Sequence, residues 1–145
     1  MASWKRFEEM EVWKKGCRLA CDVYEVSRDG ELGKDFALRD QMRRAAVSIP
    51  SNIAEGFELR TDKDFVRMLT IAKGSCGELR TQMYIANRIG VMKADKRVAL
   101  VKQAEEISKM LGGLIKKLKV NNTPNSKVQT RKSTATEEEA RGTRT

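Results

Sequence analysis

Four segments of the sequence repeat apolar residues at three- and four-residue steps, the spacing that gathers side chains on one face of an α-helix. The four predicted helices cover about residues 10–29, 35–56, 61–90 and 95–118. The connections between them hold about four to seven residues, and such short connections make consecutive helices run antiparallel. The sequence therefore predicts an all-α fold, an up-down-up-down antiparallel four-helix bundle, over residues 1–120.

The composition changes after Val120. The segment NNTPNSKVQTRKSTATEEEARGTRT has one valine, two alanines and no larger apolar residue. A segment so poor in apolar residues cannot offset the entropy that is lost on ordering. We predict that residues 121–145 form a disordered, polar and basic C-terminal tail.

The first predicted helix carries two apolar stripes side by side, which indicates a helix that packs against two neighbours. One stripe consists of Met10, Trp13, Cys17, Cys21 and Tyr24. The other consists of Val12, Leu19 and Val26, at seven-residue steps. We expect both stripes to face the core.

The three cysteines, Cys17, Cys21 and Cys76, are predicted to be small core residues. The sequence contains no histidine, so a zinc site built from these thiols lacks its usual fourth ligand. We therefore expect no metal and no cofactor.

The chain is strongly basic, with 29 lysines and arginines against 20 acidic residues and a formal net charge of +9. A surplus of this size favours a nucleic acid or another polyanion as partner. No apolar run is long enough to span a membrane, and the N-terminal segment lacks the apolar core of a signal peptide. We expect a cytoplasmic protein without membrane association.

Two groups of basic residues are the candidate nucleic-acid-binding sites. They are Arg39, Arg43 and Arg44 on the second helix, and Arg60, Lys63 and Arg67 at the start of the third. A salt-bridged exterior or a subunit contact is an equal alternative for the first group. Contacts repeated in each subunit of an oligomer would add up through multivalency and would not read the bases.

A third basic stripe, Lys102, Lys109 and Lys116, repeats every seven residues on the fourth helix. Glu105 and Glu106 lie within one turn of two of these lysines. Because pairing along the helix would reduce the local positive field, we expect this stripe to be a solvated face and not a binding site.

The stretch RRAAVSIPSNIAEG, residues 43–56, places Pro50 inside a predicted helix. Proline cannot donate a hydrogen bond to the carbonyl four residues back, which here belongs to Ala46. Either the helix bends and continues, or it breaks and restarts with Pro50 in its first turn. We favour a bent, continuous helix because Ile49 and Ile53 keep helical register across the proline.

Polar residues surround Pro50 and need partners if they are partly buried. Ser48 and Asn52 are four residues apart, and Glu55 follows on nearly the same side. In an antiparallel pairing the third helix would set Ser75 and Glu78 against Ser48 and Asn52. We predict that this polar motif fixes the register of the two helices, and that Gly74 and Gly77 let the backbones approach closely.

The sequence favours no enzymatic activity. A histidine that would act as a general base near neutral pH is absent. Ser48, Ser51 and Ser75 have no activating partner at the spacings used by hydrolases. Glycine-rich loops that bind the phosphates of nucleotides are also absent. We expect a binding or interaction protein.

Two longer stretches, QMRRAAVSIPSNIAEG and IAKGSCGELRTQMYIANRIG, together resemble the four-helix-bundle family of 23S rRNA intervening-sequence proteins. The EVW of the first helix and the apolar spacing of the fourth extend the resemblance over residues 7 to about 118. It departs from the family pattern at DGELGKDF, where an aromatic-proline turn is expected before the second helix.

The resemblance implies a four-helix bundle that assembles as a ring-like homo-pentamer. The family is similar to the accessory variability determinant of diversity-generating retroelements, a basic pentameric bundle that binds a reverse transcriptase and nucleic acid. The resemblance therefore implies a protein that binds structured RNA or an RNA–cDNA intermediate and assists a reverse transcriptase. The alternative is an intervening-sequence type scaffold with no nucleic-acid role of its own.

Overall fold

The computed structural model describes residues 4–121, and all regular secondary structure in that range is helical. A short 3₁₀ helix at Phe7–Glu9 precedes five α-helices. They are α1 (Glu11–Val26), α2 (Gly30–Lys34), α3 (Phe36–Glu58), α4 (Asp62–Arg88) and α5 (Ala94–Asn121). The all-α prediction is confirmed, and the chain forms a helical bundle. The predicted tail beyond Asn121 lies outside the described residues.

The core is built from the four long helices, which contact one another in the sequence α1, α3, α4, α5 and back to α1. Its largest fully buried side chains come from all of them and from the short segments between them. They are Met10, Leu19, Leu32, Met42, Ile49, Ile53, Leu69, Leu79, Met83, Ile107, Leu111 and Leu118. None of the helices in residues 4–121 is long and apolar enough to cross a membrane.

The first predicted stripe of α1 is partly wrong. Cys21 and Tyr24 are exposed, and the buried positions of α1 are Val12, Gly16, Leu19, Ala20 and Val23. The helix meets α3 at Gly16, whose Cβ position lies 3.4 Å from side-chain atoms of Pro50. This close contact centres the buried face on Gly16, so the outer members of the Cys–Tyr stripe turn towards solvent.

Side-chain caps define where α3 and α4 begin. Asp35 accepts a hydrogen bond from the backbone N–H of Leu38 (3.1 Å), and Thr61 Oγ1 accepts one from the N–H of Asp64 (3.1 Å). The Thr61 hydroxyl also donates to the Asp64 carboxylate (2.9 Å). These bonds satisfy N–H groups that a helix leaves unpaired in its first turn. Thr61 thus caps α4 at the residue where the sequence predicts that the third helix begins.

The predicted end of α3 at Gly56 is wrong, because the helix continues to Glu58 and Gly56 is buried inside it. A Cβ at this position would lie 2.9 Å from Cβ of Met68 and 3.0 Å from Cδ1 of Phe65. Gly56 therefore allows α3 and α4 to approach closely, and Arg60, with φ 73°, turns the chain after α3.

The segment between α1 and α3 is not the simple loop that the sequence suggested. Gly30–Lys34 forms one helical turn, and Leu32 anchors it in the core with 1% of its surface exposed. A five-residue helix carries too little periodicity to be recognised in sequence, and its burial depends on the surrounding helices.

Helix α3 runs without interruption through Pro50. A break with a restart is excluded, as the unbroken register of Ile49 and Ile53 predicted. Both isoleucines and Pro50 are buried, so the tertiary packing of this segment offsets the hydrogen bond that proline removes.

Candidate nucleic-acid interface

Arg43 lies at the junction of α1 and α3, where its guanidinium is held by the end of α1. Nε donates to Ser27 Oγ (2.9 Å), and Nη2 donates to the Ser27 carbonyl (3.2 Å). The guanidinium carbon lies 4.4 Å from the centre of the Tyr24 ring. The predicted phosphate-binding arginine therefore caps the last turn of α1, where a cation also stabilises the helix dipole.

Arg39 is engaged in the same way. Its Nη1 donates to the Gly33 carbonyl (3.1 Å), its Nε donates to Asp40 Oδ1 (3.0 Å), and its guanidinium lies 4.7 Å from the Phe36 ring centre. Arg44, the third member of the predicted group, is exposed and makes none of these contacts. Two of the three arginines thus join α1, α2 and α3 to one another.

The second predicted group lies around the start of α4. Arg60 is exposed over the Phe57 ring (5.9 Å), and Arg67 contacts Asp64 at 3.5 Å. Lys63 is exposed, without an ion pair within 4.0 Å among residues 4–121. The group is accessible, but Asp64 within it reduces its positive field.

The polar motif around Pro50 is brought together only in part. The hydroxyls of Ser48 and Ser75 form a hydrogen bond of 2.9 Å between α3 and α4. Asn52 Nδ2 does not reach α4 and donates within α3, to Ser48 O (2.7 Å) and Ser48 Oγ (2.8 Å). Glu55 and Glu78 are exposed. The predicted placement of Asn52 against Ser75 or Glu78 is absent from the hydrogen bonds of residues 4–121.

A more strongly basic surface lies between α4 and α5, and we name it the α4–α5 basic face. It consists of Lys73, Arg80, Arg97, Lys102, Lys109 and Lys116. Three contacts place the two helices side by side here. Lys73 Cε lies 3.3 Å from the Cβ position of Gly112, Arg80 Nη1 lies 4.0 Å from Glu105 Oε2, and Arg97 lies 5.1 Å from the Tyr84 ring centre.

Helical spacing completes this face. Lys109 lies four residues after Glu105 and three before Gly112, and Lys116 lies four after Gly112. All three lysines of the seven-residue stripe are exposed. Lys73 and Arg80 are also seven residues apart, so both helices carry cations at the same spacing along this face.

The expected neutralisation of the lysine stripe is wrong. Glu105 faces Arg80 of α4, and Glu106 pairs with Lys15 of α1 (3.4 Å). Among the ion pairs of residues 4–121, neither glutamate contacts Lys102 or Lys109. Sequence reasoning considered only partners on the same helix, whereas the neighbouring helices attract both carboxylates. Lys102 and Lys109 therefore form no ion pair with these two glutamates, and the prediction that the stripe is a solvated face stays a prediction.

Two of the three cysteines, Cys17 and Cys76, have thiols with a raised pKa. Burial raises the pKa of the Cys76 thiol to about 11, although Arg80 and Lys73 nearby lower it, and burial together with Cys21 raises the pKa of Cys17. The nucleophilic form of cysteine is the thiolate, so both groups are unreactive at neutral pH. Residues 4–121 contain no cluster of three or more cysteine and carboxylate ligands for a metal.

The chain belongs to the family of 23S rRNA-intervening sequence proteins, whose family model matches residues 8–113. A crystal structure of a protein with unknown function, from the S23 ribosomal protein family of Bacteroides thetaiotaomicron, has a similar fold with a TM-score of 0.67. The two chains are 24% identical, and the match covers 72% of this chain and 98% of that one. A comparison with curated proteins gave no match.

Proposed function

We propose that this protein is a non-enzymatic, homo-oligomeric bundle that binds structured RNA or an RNA–cDNA intermediate through the α4–α5 basic face. In this proposal it serves as the accessory partner of a diversity-generating retroelement reverse transcriptase. The observation that carries the proposal is the charge of that face, where the six cations make a single ion pair with a carboxylate in residues 4–121, between Arg80 and Glu105 (4.0 Å).

The proposed topology is up-down-up-down. Its support is the order of contacts along each helix pair. Ser48 contacts Ser75 and Gly56 contacts Met68, so residue numbers on α4 fall as those on α3 rise. Lys15 contacts Glu106 and Asp22 contacts Gln103, so α1 and α5 are antiparallel in the same way. A pentamer is the assembly that the family resemblance implies.

Phosphate contacts fit this face better than base recognition does. Successive lysines of the α5 stripe are seven residues apart, about 10.5 Å along the helix. Lysine acts as a point charge towards phosphate and tolerates small changes in phosphate position. Tyr84 is the aromatic residue beside this face and lies against Arg97. The arrangement favours an RNA backbone over a particular sequence.

The proposal is tested by fluorescence anisotropy of the full chain with a structured RNA across a salt series. In a Lys73→Gln/Lys109→Gln/Lys116→Gln variant we expect the slope of log K against log salt to fall by about two to three, because each lost phosphate contact removes about 0.7–0.9. A Lys14→Gln/Arg18→Gln/Lys34→Gln variant has the same net charge but leaves the face intact, and it should retain most of the slope.

Equal losses in the two variants would mean that net charge alone attracts RNA and would contradict the proposed face. No binding of the wild-type chain at low salt would favour the alternative, a scaffold without a nucleic-acid role. One observation favours that alternative: Arg39 and Arg43 act in holding helices together. The accessory role is tested separately, by co-purification of the chain with a co-expressed retroelement reverse transcriptase.

A further inference from the structure

The outer surface of α3 and α4 carries four exposed charged residues in a regular arrangement. They are Arg44 and Glu55 on α3, and Arg67 and Glu78 on α4. In each helix the arginine precedes the glutamate by eleven residues. Eleven residues make about three helical turns, so each pair lies on one stripe with a separation of about 17 Å along the axis. We name this surface the α3–α4 outer face.

The register between the helices places opposite charges at each end of this face. Ser48 lies opposite Ser75, and Gly56 lies opposite Met68. Arg44 is therefore at the same end as Glu78, while Glu55 is at the other end with Arg67. The four charges form a rectangle in which neighbouring corners have opposite signs.

The chain itself does not use these charges as a network. None of the ion pairs within 4.0 Å in residues 4–121 joins two of the four corners. The contact that Arg67 makes is with Asp64, at 3.5 Å, and both side chains remain accessible to solvent. The corners are available for a contact outside the chain.

The area between the corners has the composition of a contact surface. Ile71 is exposed (44%), and Gly74 has no heavy atom within 4 Å of its Cβ position although glycine is unfavourable inside a helix.

We propose that a second copy of this chain docks on the α3–α4 outer face through a two-fold axis. A two-fold axis perpendicular to the helices places Arg67 against Glu78 of the partner subunit, and Arg44 against Glu55 of the partner subunit. An axis parallel to the helices places Arg44 against Glu78 of the partner subunit. Both orientations give four pairs of opposite charge, because the rectangle is self-complementary under either rotation.

Charge also explains why a copy of the same chain is the occupant. Two copies with a net charge of +9 repel each other, but the four corners of this face sum to zero. The α4–α5 basic face, on the other side of α4, is where the repulsion would be strongest. The two faces therefore suit different partners, a second copy and a polyanion. The contact yields a dimer, or it joins two larger oligomers in pairs.

The test is a charge-swap experiment, read by analytical ultracentrifugation over a range of protein concentrations. Glu55→Arg/Glu78→Arg turns all four pairs into contacts between like charges, and Arg44→Glu/Arg67→Glu does the same with the opposite sign. Each exposed ion pair that is lost should weaken the self-association constant by a factor of about three. Four lost pairs should therefore weaken self-association roughly eighty-fold in either variant. An equimolar mixture of the two variants should associate again, because their faces are then complementary.

A Glu25→Arg/Glu31→Arg variant reverses two exposed carboxylates away from this face and should associate as the wild type does. Circular dichroism of each variant checks that the helices are intact. A Glu55→Arg/Glu78→Arg variant that associates like the wild type, or a mixture that does not recover, would overturn the proposal. A wild-type chain that is monomeric and still binds RNA would overturn this proposal and leave the RNA-binding proposal standing.

Discussion

Replacing Gly56 by alanine tests the close approach of α3 and α4 at one atom. The added Cβ would lie 2.9 Å from Cβ of Met68 and 3.0 Å from Cδ1 of Phe65. Carbon atoms in favourable contact are about 3.5–4.0 Å apart, so the neighbours must move by about 0.5–1 Å. Met68 Cβ is fixed to the backbone of α4, and the Phe65 ring packs edge-on against Phe57. Neither atom can move without shifting its helix or an aromatic neighbour.

Two effects of opposite sign set the free energy of unfolding of this variant. Alanine is favoured over glycine inside a helix by about 1 kcal/mol. Overpacking of a well-packed contact costs about 1–3 kcal/mol, and the upper part of that range applies because the clash involves backbone-linked atoms. We expect Gly56→Ala to lower the stability by about 1–2 kcal/mol, a fall in Tm of about 3–8 °C.

The matched control is Gly113→Ala, in the interior of α5, where the Cβ position has no heavy atom within 4 Å. This variant should raise the free energy of unfolding by about 0.5–1 kcal/mol, because only the preference for alanine over glycine inside a helix changes. Urea unfolding followed by circular dichroism, at one fixed protein concentration, measures both variants. If Gly56→Ala is as stable as Gly113→Ala, the proposed close contact between α3 and α4 is not what makes glycine necessary there.

Three further predictions concern the polar motif, the α1–α3 junction and the buried thiol. Asn52→Leu should lower the free energy of unfolding by about 1 kcal/mol through loss of the two bonds to Ser48, and Asn52→Asp, which places an acceptor against the Ser48 carbonyl, should cost more in the same urea assay. Arg43→Met should lower the free energy of unfolding by about 2 kcal/mol, because Ser27 loses its charged hydrogen-bond donor. RNA affinity of this variant in the anisotropy assay should stay within about twofold of the wild type. A large loss of affinity in a folded variant would mean that Arg43 belongs to the RNA-binding site. The pKa of Cys76 is raised to about 11 in the folded chain, so the folded state holds the thiol proton more tightly than the unfolded state does. The free energy of unfolding should therefore fall by about 2–3 kcal/mol in total as the pH rises from about 9 to 11. A Cys76→Ala variant should lack that part of the alkaline loss, and an identical pH dependence in both proteins would argue against the raised pKa.

The structure changes how the first candidate group should be tested. Reversing Arg39, Arg43 and Arg44 together would remove the bonds that join α3 to Gly33 and Ser27, so loss of RNA binding in that variant would follow from misfolding as well as from lost phosphate contacts. Substitution of exposed lysines on the α4–α5 basic face avoids this difficulty, because within residues 4–121 the amino groups of Lys73, Lys109 and Lys116 make no hydrogen bond or ion pair to another helix. The preferred experiment is therefore the lysine variant with its matched control.

Helix identity and approximate bounds could be predicted because they depend on local chemistry. The buried residues of α4 recur from Phe65 to Ala86 at the helical spacing that predicted this helix, and Thr61 caps the helix near its predicted start. In α1, by contrast, both apolar stripes were expected to face the core, but the helix meets α3 at Gly16 and leaves Cys21 and Tyr24 exposed.

The candidate sites depended on partners that the sequence does not place. Helical spacing correctly groups the lysines of α5, but it cannot show that Glu105 turns to Arg80 and Glu106 to Lys15. It likewise groups Arg39 with Arg43, but not their bonds to carbonyls in preceding segments. The sequence shows which side chains are charged. Only the tertiary contacts show which of these charges are already paired within the chain.

The sequence by itself determined that this chain is a basic, all-α protein, because helical periodicity and charge are set by neighbouring residues along the chain. It also determined the family, through the two stretches around Pro50 and Gly74. Only the tertiary structure decided which cations are paired, since a guanidinium or amino group pairs only where an acceptor lies within reach in space. For Arg43 that acceptor lies sixteen residues away on α1, and for Arg80 the nearest carboxylate is on α5.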